Sequence, residues 1–134
     1  MDDIKLLELK IISHTRGDIF HIIRKSSEGY IGFGEAYISS INYNDIKGWK
    51  KHNEMTLNLV VLSGEIQIVI TDGINFKSFN LSLKNYKRLV VPPGYWMAFK
   101  GVSKGNNLLV NIANIEHNPF ESESIELSHL NYNW

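Results

Sequence analysis

The chain has no cysteine, only three prolines and no surplus of charge of either sign. Without cysteine there are no disulfides, thiolate metal sites or cysteine nucleophiles. Fourteen Lys and Arg balance fourteen Asp and Glu, so the broad basic surface that attracts nucleic acid is missing. No apolar run approaches the roughly 18 residues of a membrane-spanning helix. The acidic start Met1-Asp2-Asp3 lacks the positive, apolar, small-residue order of a signal peptide. These absences predict a cytoplasmic protein with no membrane or nucleic-acid partner. The 134 residues are expected to form one domain spanning 1–134, a length that buries roughly 70% of the unfolded surface.

What is present is a series of short segments rich in Val, Ile, Leu, Phe and Tyr, separated by Gly, Asn, Asp and Pro. None has the length of a convincing helix. In Glu65–Thr71, Ile66, Ile68 and Ile70 alternate with Glu65, Gln67 and Val69, and Asp72-Gly73 supplies a turn, the pattern of a strand with one buried face. Further strands are expected at Leu7–Ile12, Asp18–Arg24, Gly34–Ile41, Thr56–Leu62, Phe76–Leu83, Arg88–Val91, Tyr95–Lys100 and Leu108–Asn114. Strands this numerous and evenly spaced predict an all-β sandwich or jelly roll. Pro92-Pro93-Gly94 is a rigid turn before Tyr95-Trp96, and the apolar residues of the tail 118–134 predict that it packs down.

Potential chemistry concentrates in Lys47-Gly48-Trp49-Lys50-Lys51-His52-Asn53-Glu54, just before the apolar strand Thr56–Leu62. Ammonium groups beside an aromatic ring suit a nucleotide diphosphate, the cations meeting phosphate oxygens and the ring stacking on base or sugar; a solvated loop has the same composition. His52 is the candidate acid or base, because imidazole changes charge near neutrality. Lys50 reads either as an exposed strand-end lysine or as a cation that stabilises an enolate or a pyrophosphate. Arg16, in the turn Thr15-Arg16-Gly17-Asp18, has a planar fork suited to gripping phosphate, although surface arginines are equally common. His117, in the turn Ile115-Glu116-His117-Asn118-Pro119, is a further candidate; His14, His21 and His129 read as structural or surface residues. Phosphate-binding glycine loops and a nucleophile elbow are absent.

Taken together, Thr15-Arg16-Gly17, Gly34-Glu35-Ala36-Tyr37-Ile38-Ser39, Lys47 through Thr56, Ser63-Gly64, Asn85-Tyr86, Val91 through Trp96, Glu116-His117-Asn118-Pro119 and Tyr132-Asn133-Trp134 resemble the cupin sugar-nucleotide family. That family includes dTDP-4-dehydrorhamnose 3,5-epimerase and the dTDP-sugar 3,4-ketoisomerases. The resemblance implies a cupin-type double-stranded β-helix, a jelly-roll barrel, that is a homodimer and needs no cofactor. It further implies a dTDP-sugar substrate and an epimerase or isomerase that removes a proton beside a 4-keto group. His52 and Lys50 are then the catalytic pair, and Arg16, Lys47, Trp49, Asn58, Tyr95, Trp96 and His117 the substrate-binding set. Lys47 and His52 match the family's basic residue and second histidine, whereas Lys50 stands in the place of its first histidine. A cupin metal site is not expected: Lys50 and His52 occupy the histidine pair, Leu57 the carboxylate position and Met97 the last histidine position. The alternative to an enzyme is a cupin that lost its base and binds a nucleotide sugar without turnover.

Overall fold

The computed structural model describes residues 1–134 as twelve strands: β1 Lys5–Glu8, β2 Ile11–Ile12, β3 Ile19–Phe20, β4 Glu35–Ser40, β5 Ile46–His52, β6 Leu57–Ser63, β7 Glu65–Thr71, β8 Phe76–Ser82, β9 Lys87–Val91, β10 Trp96–Gly101, β11 Leu108–Ala113 and β12 Ser122–Ser124. One five-stranded sheet runs β1-β9-β6-β11-β4, a second runs β12-β5-β10-β7-β8, and β2 and β3 form a separate hairpin. All pairings between named strands are antiparallel. The two sheets face each other as a cupin-type jelly roll, the architecture the sequence predicts.

The core lies between the sheets because the inward residues of the apolar strands meet there. Ile66, Ile68 and Ile70 of β7 are fully buried against Leu57, Leu59 and Val61 of β6 and Leu89 and Val91 of β9. Each side chain of this size contributes about 1.5–3 kcal/mol by leaving water. The chain crosses between the sheets at Ser63-Gly64 and Pro92-Pro93-Gly94, where Gly64 and Gly94 take positive φ of 71° and 101°, conformations that disfavour a Cβ.

Seven of the expected strands recur with ends within a residue or so; Glu65–Thr71 matches at both ends. Three features differ. Leu7–Ile12 is interrupted, its first part pairing with β9 and Ile11–Ile12 with β3, so Leu9-Lys10 becomes a corner rather than strand interior. Of Asp18–Arg24, only Ile19–Phe20 is strand. The segment 46–52, expected to precede a strand, is itself a seven-residue strand.

The tail folds back as the apolar pattern predicts. Trp49, 1% exposed, packs on the outer side of the second sheet against Ile125, Leu130, Tyr132 and Trp134. Its ring lies 6.1 Å from Trp134, and its indole N–H donates to the Leu127 carbonyl at 3.2 Å. Behind the strand that carries the site, the tail therefore forms an apolar backing.

Candidate active site

Strand β5 sets the site because its pairing with β10 contains a bulge. Lys50 stands opposite Met97 and Gly48 opposite Ala98, which leaves Trp49 as the extra residue. Its N–H and C=O instead exchange 3.1 Å bonds with Ile125. An extra residue reverses the in-out alternation, so Lys47 joins Lys50 and His52 on the cavity side while Trp49 turns outward into the tail cluster. Gly48 fits here because a Cβ would run into Ala98.

The cavity between the sheets has a volume of about 330 Å³. One wall, from β5 and β12, carries Lys47, Lys50, His52 and Ser124; the other, from β4 and β11, carries Tyr37, Ser39 and Asn111; Leu57, Leu59, Met97 and Phe99 provide apolar surface. Lys47 Nζ donates to the Ser40 carbonyl at 3.2 Å. Lys50 forms no ion pair or hydrogen bond within the chain, so its ammonium is left to the cavity.

His52 is 4% exposed, and its Nδ1 is hydrogen-bonded to Glu121 Oε1. Glu121, 3% exposed, also accepts from the amides of Glu54 at 3.1 Å and Met55 at 3.2 Å. Burial pushes its carboxyl up, but the hydrogen bonds from His52 and the two amides outweigh this and hold it below the ordinary carboxylate value. An ionised carboxylate only accepts, so Nδ1 carries the hydrogen of this bond, which leaves Nε2 as the ring nitrogen free to exchange a proton. The arrangement is a histidine oriented by a buried carboxylate, the geometry of the last two members of a Ser-His-Asp triad.

Of the residues expected from sequence, His52, Lys50 and Lys47 come together at the cavity, and Trp49 borders it while its side chain packs outward in the tail cluster. The other five lie elsewhere in this chain. Arg16 sits in an exposed turn, where its amide bonds to His14 Nδ1 at 3.0 Å. Asn58 is buried on the outward face of β6; it accepts from Arg88 at 2.5 Å and donates to the Gly29 carbonyl at 3.1 Å. Tyr95 donates its hydroxyl to Asp3 at 2.5 Å, a bond that, with burial, raises its pKa to about 12. Trp96 faces outward with Lys51 Nζ 4.8 Å from its ring, and His117 is exposed. Each follows from strand alternation or loop position, which the motif alone does not reveal. Glu121, Tyr37 and Asn111 carry cavity or dyad contacts that sequence reasoning missed. The one sequence signal near Glu121 is Asn118-Pro119, which opens a single 3-10 turn with the Asn118 side chain capping Phe120 at 3.0 Å.

The positions a cupin metal would need, Lys50, Leu57 and Met97, all line the cavity, and no three His, Asp or Glu side chains converge anywhere in the fold. Fold and site thus define a cupin barrel with a buried histidine–carboxylate pair on its inner wall. The chain belongs to the FdtA family, described as WxcM-like, C-terminal, whose model matches residues 2–123. No curated protein matches it. Among solved structures it is similar to a dTDP sugar isomerase from Desulfovibrio desulfuricans G20, at 29% identity and a TM-score of 0.93 over 99% of this chain and 91% of that one. Its fold also matches the 3,4-ketoisomerase QdtA from Thermoanaerobacterium thermosaccharolyticum in complex with TDP, at 17% identity and a TM-score of 0.80 over 90% and 87% of the two chains. A third match is the epimerase RmlC from Legionella pneumophila Philadelphia 1 in complex with dTDP-4-keto-L-rhamnose, at 20% identity and a TM-score of 0.86 over 100% and 79%.

Proposed function

We propose that this protein is a cytoplasmic epimerase or isomerase of a dTDP-4-keto-6-deoxyhexose that works by proton transfer beside the keto group, without a cofactor, in deoxysugar biosynthesis. The observation that carries this reading is the Glu121-oriented His52 on the cavity wall beside the unpaired ammonium of Lys50. A ketone acidifies the hydrogens on its neighbouring carbons. His52 Nε2 removes one, and the negative charge that develops on oxygen is met by Lys50, in a site where apolar walls make that attraction stronger than in water. Lys47, on the same strand and wall, meets the pyrophosphate. The similarity to a dTDP sugar isomerase at 29% identity supports the substrate class. The reading as a binding module without a base is not favoured, because a histidine buried against an ionised carboxylate is a base already aligned.

Incubation with dTDP-4-keto-6-deoxyglucose in deuterated water is expected to place deuterium on the carbon next to the keto group, read by proton NMR. Saturable binding with no exchange would remove the enzymatic reading and restore the binding module.

The same reading includes a homodimer. Strand β4 is an unpaired edge, and its alternation is inverted: Ile38 points outward and is 61% exposed, while Tyr37 and Ser39 line the cavity. Ile31 and Phe33 are similarly uncovered before it, as is Ile19 on the hairpin. An exposed edge with an apolar outer face calls for a covering strand. A second copy offers its own hairpin for that purpose, with Arg16 at the tip presented to the partner. Sedimentation velocity is expected to give a mass of two 15.4 kDa chains; a monomer at micromolar concentration would remove the dimer.

A further inference from the structure

On the wall opposite His52, a chain of hydrogen bonds ends at a hydroxyl that nothing in the protein accepts from. Tyr37, on β4, lines the cavity, and its hydroxyl oxygen accepts a hydrogen bond from Asn111 Nδ2 at 3.0 Å. The orientation of that amide is fixed, because Asn111 Oδ1 accepts from the backbone N–H of Asn58 at 3.1 Å and Asn111 is fully buried. Asn58 is itself held from the far side of the sheet by Arg88 and the Gly29 carbonyl. An amide nitrogen can only donate. With a lone pair of the phenol engaged by Asn111, its single hydrogen is left to point into the cavity.

We propose that Tyr37 is a second catalytic residue, the hydrogen donor to the substrate's carbonyl oxygen; this rests on the reading of the cavity as a keto-sugar site. His52 Nε2 takes the proton from the carbon beside the ketone, and the C–H electron pair becomes a carbon–carbon double bond. The carbonyl π pair moves onto oxygen, which takes the Tyr37 hydrogen and leaves a phenolate stabilised by the Asn111 N–H and by the Lys50 ammonium. In the second half the phenolate recovers a proton. It comes from the same oxygen if a water molecule protonates the carbon on its other face while His52 gives its own proton up to solvent, or from the neighbouring hydroxyl if His52 returns its proton to the former carbonyl carbon. The first outcome is an epimer and the second a ketoisomer, and both balance without an oxidant or reductant.

Tyr37→Phe removes one oxygen from a side chain on an edge strand and leaves the packing unchanged, so the variant folds. With dTDP-4-keto-6-deoxyglucose as substrate, its kcat is expected to fall about 100-fold, within the range for loss of one general acid, while KM and the thermal shift induced by dTDP stay within about threefold of wild type, because the hydrogen bond lost is stronger in the transition state than in the ground state. Wild-type turnover with a Tyr37→Phe kcat within threefold would overturn the role of Tyr37 alone. An inactive wild-type protein would overturn the keto-sugar reading, and this role with it.

Discussion

His52→Gln is expected to lower the rate of deuterium incorporation beside the keto group by about three orders of magnitude, in the upper part of the range for loss of a general base, with dTDP binding retained. The cavity wall offers two nitrogen candidates for the base, and their surroundings separate them. Lys50 has no ion pair to orient it, and a lysine ammonium has donors but no lone pair, so its role is that of a cation. His52 has its Nδ1 hydrogen fixed on Glu121, which leaves Nε2 to exchange a proton with the substrate. Glutamine keeps an N–H for Glu121 and roughly the same volume, so the buried carboxylate is not orphaned and the barrel remains folded. A variant exchanging within tenfold of wild type would move the base away from His52.

The sequence is legible wherever strand alternation and burial agree. In β7, Ile66, Ile68 and Ile70 face the core and the alternate residues do not all match them, so period two is plain from the residue types alone. The site lies where that agreement fails. Strand β5, Ile-Lys-Gly-Trp-Lys-Lys-His, turns Lys47, Lys50 and His52 to the cavity on one side, and on the other Trp49 is out of step by one residue because of the bulge. No period-two pattern survives, and the segment reads as a loop. In β4 the apolar residues face outward, so the inward Tyr37 and Ser39 look like the solvent side. Glu121 is 69 residues from His52 and adjoins a three-residue strand of serine and glutamate that pairs with β5; nothing local marks it. The motif at 47–54 therefore locates the proposed base, while its orienting carboxylate and the groups facing it are products of topology. For the same reason Asn58 belongs to the hydrogen-bond chain behind the wall and not to the wall itself.

Glu121→Gln changes one atom of that topology, and its consequences separate orientation from mere presence of the base. The two backbone amides of Glu54 and Met55 bond to Oε2, and the glutamine oxygen takes that place because an amide nitrogen cannot accept. Its NH2 group then faces His52 Nδ1, which must accept, so the ring hydrogen moves to Nε2 and the lone pair leaves the cavity. His52 is present but in the wrong tautomer, a change expected to cost about 10³-fold in kcat with little effect on KM. The same substitution has a pH signature. The carboxyl of Glu121 is held below its ordinary value in the folded protein, so the folded state binds its proton less readily than the unfolded chain does. Its contribution to stability is present above the unfolded value, about 4.5, and is lost as the pH falls through the lower folded one. Wild type is therefore expected to exceed Glu121→Gln by about 2 kcal/mol at pH 7, the scale of a charge-assisted hydrogen bond, with the gap closing in acid. Urea titrations of both proteins between pH 7 and pH 3 measure that gap. A constant difference across the range, or a glutamine variant keeping more than a tenth of wild-type kcat, would show that Glu121 is a structural residue and that the ring finds its tautomer without it.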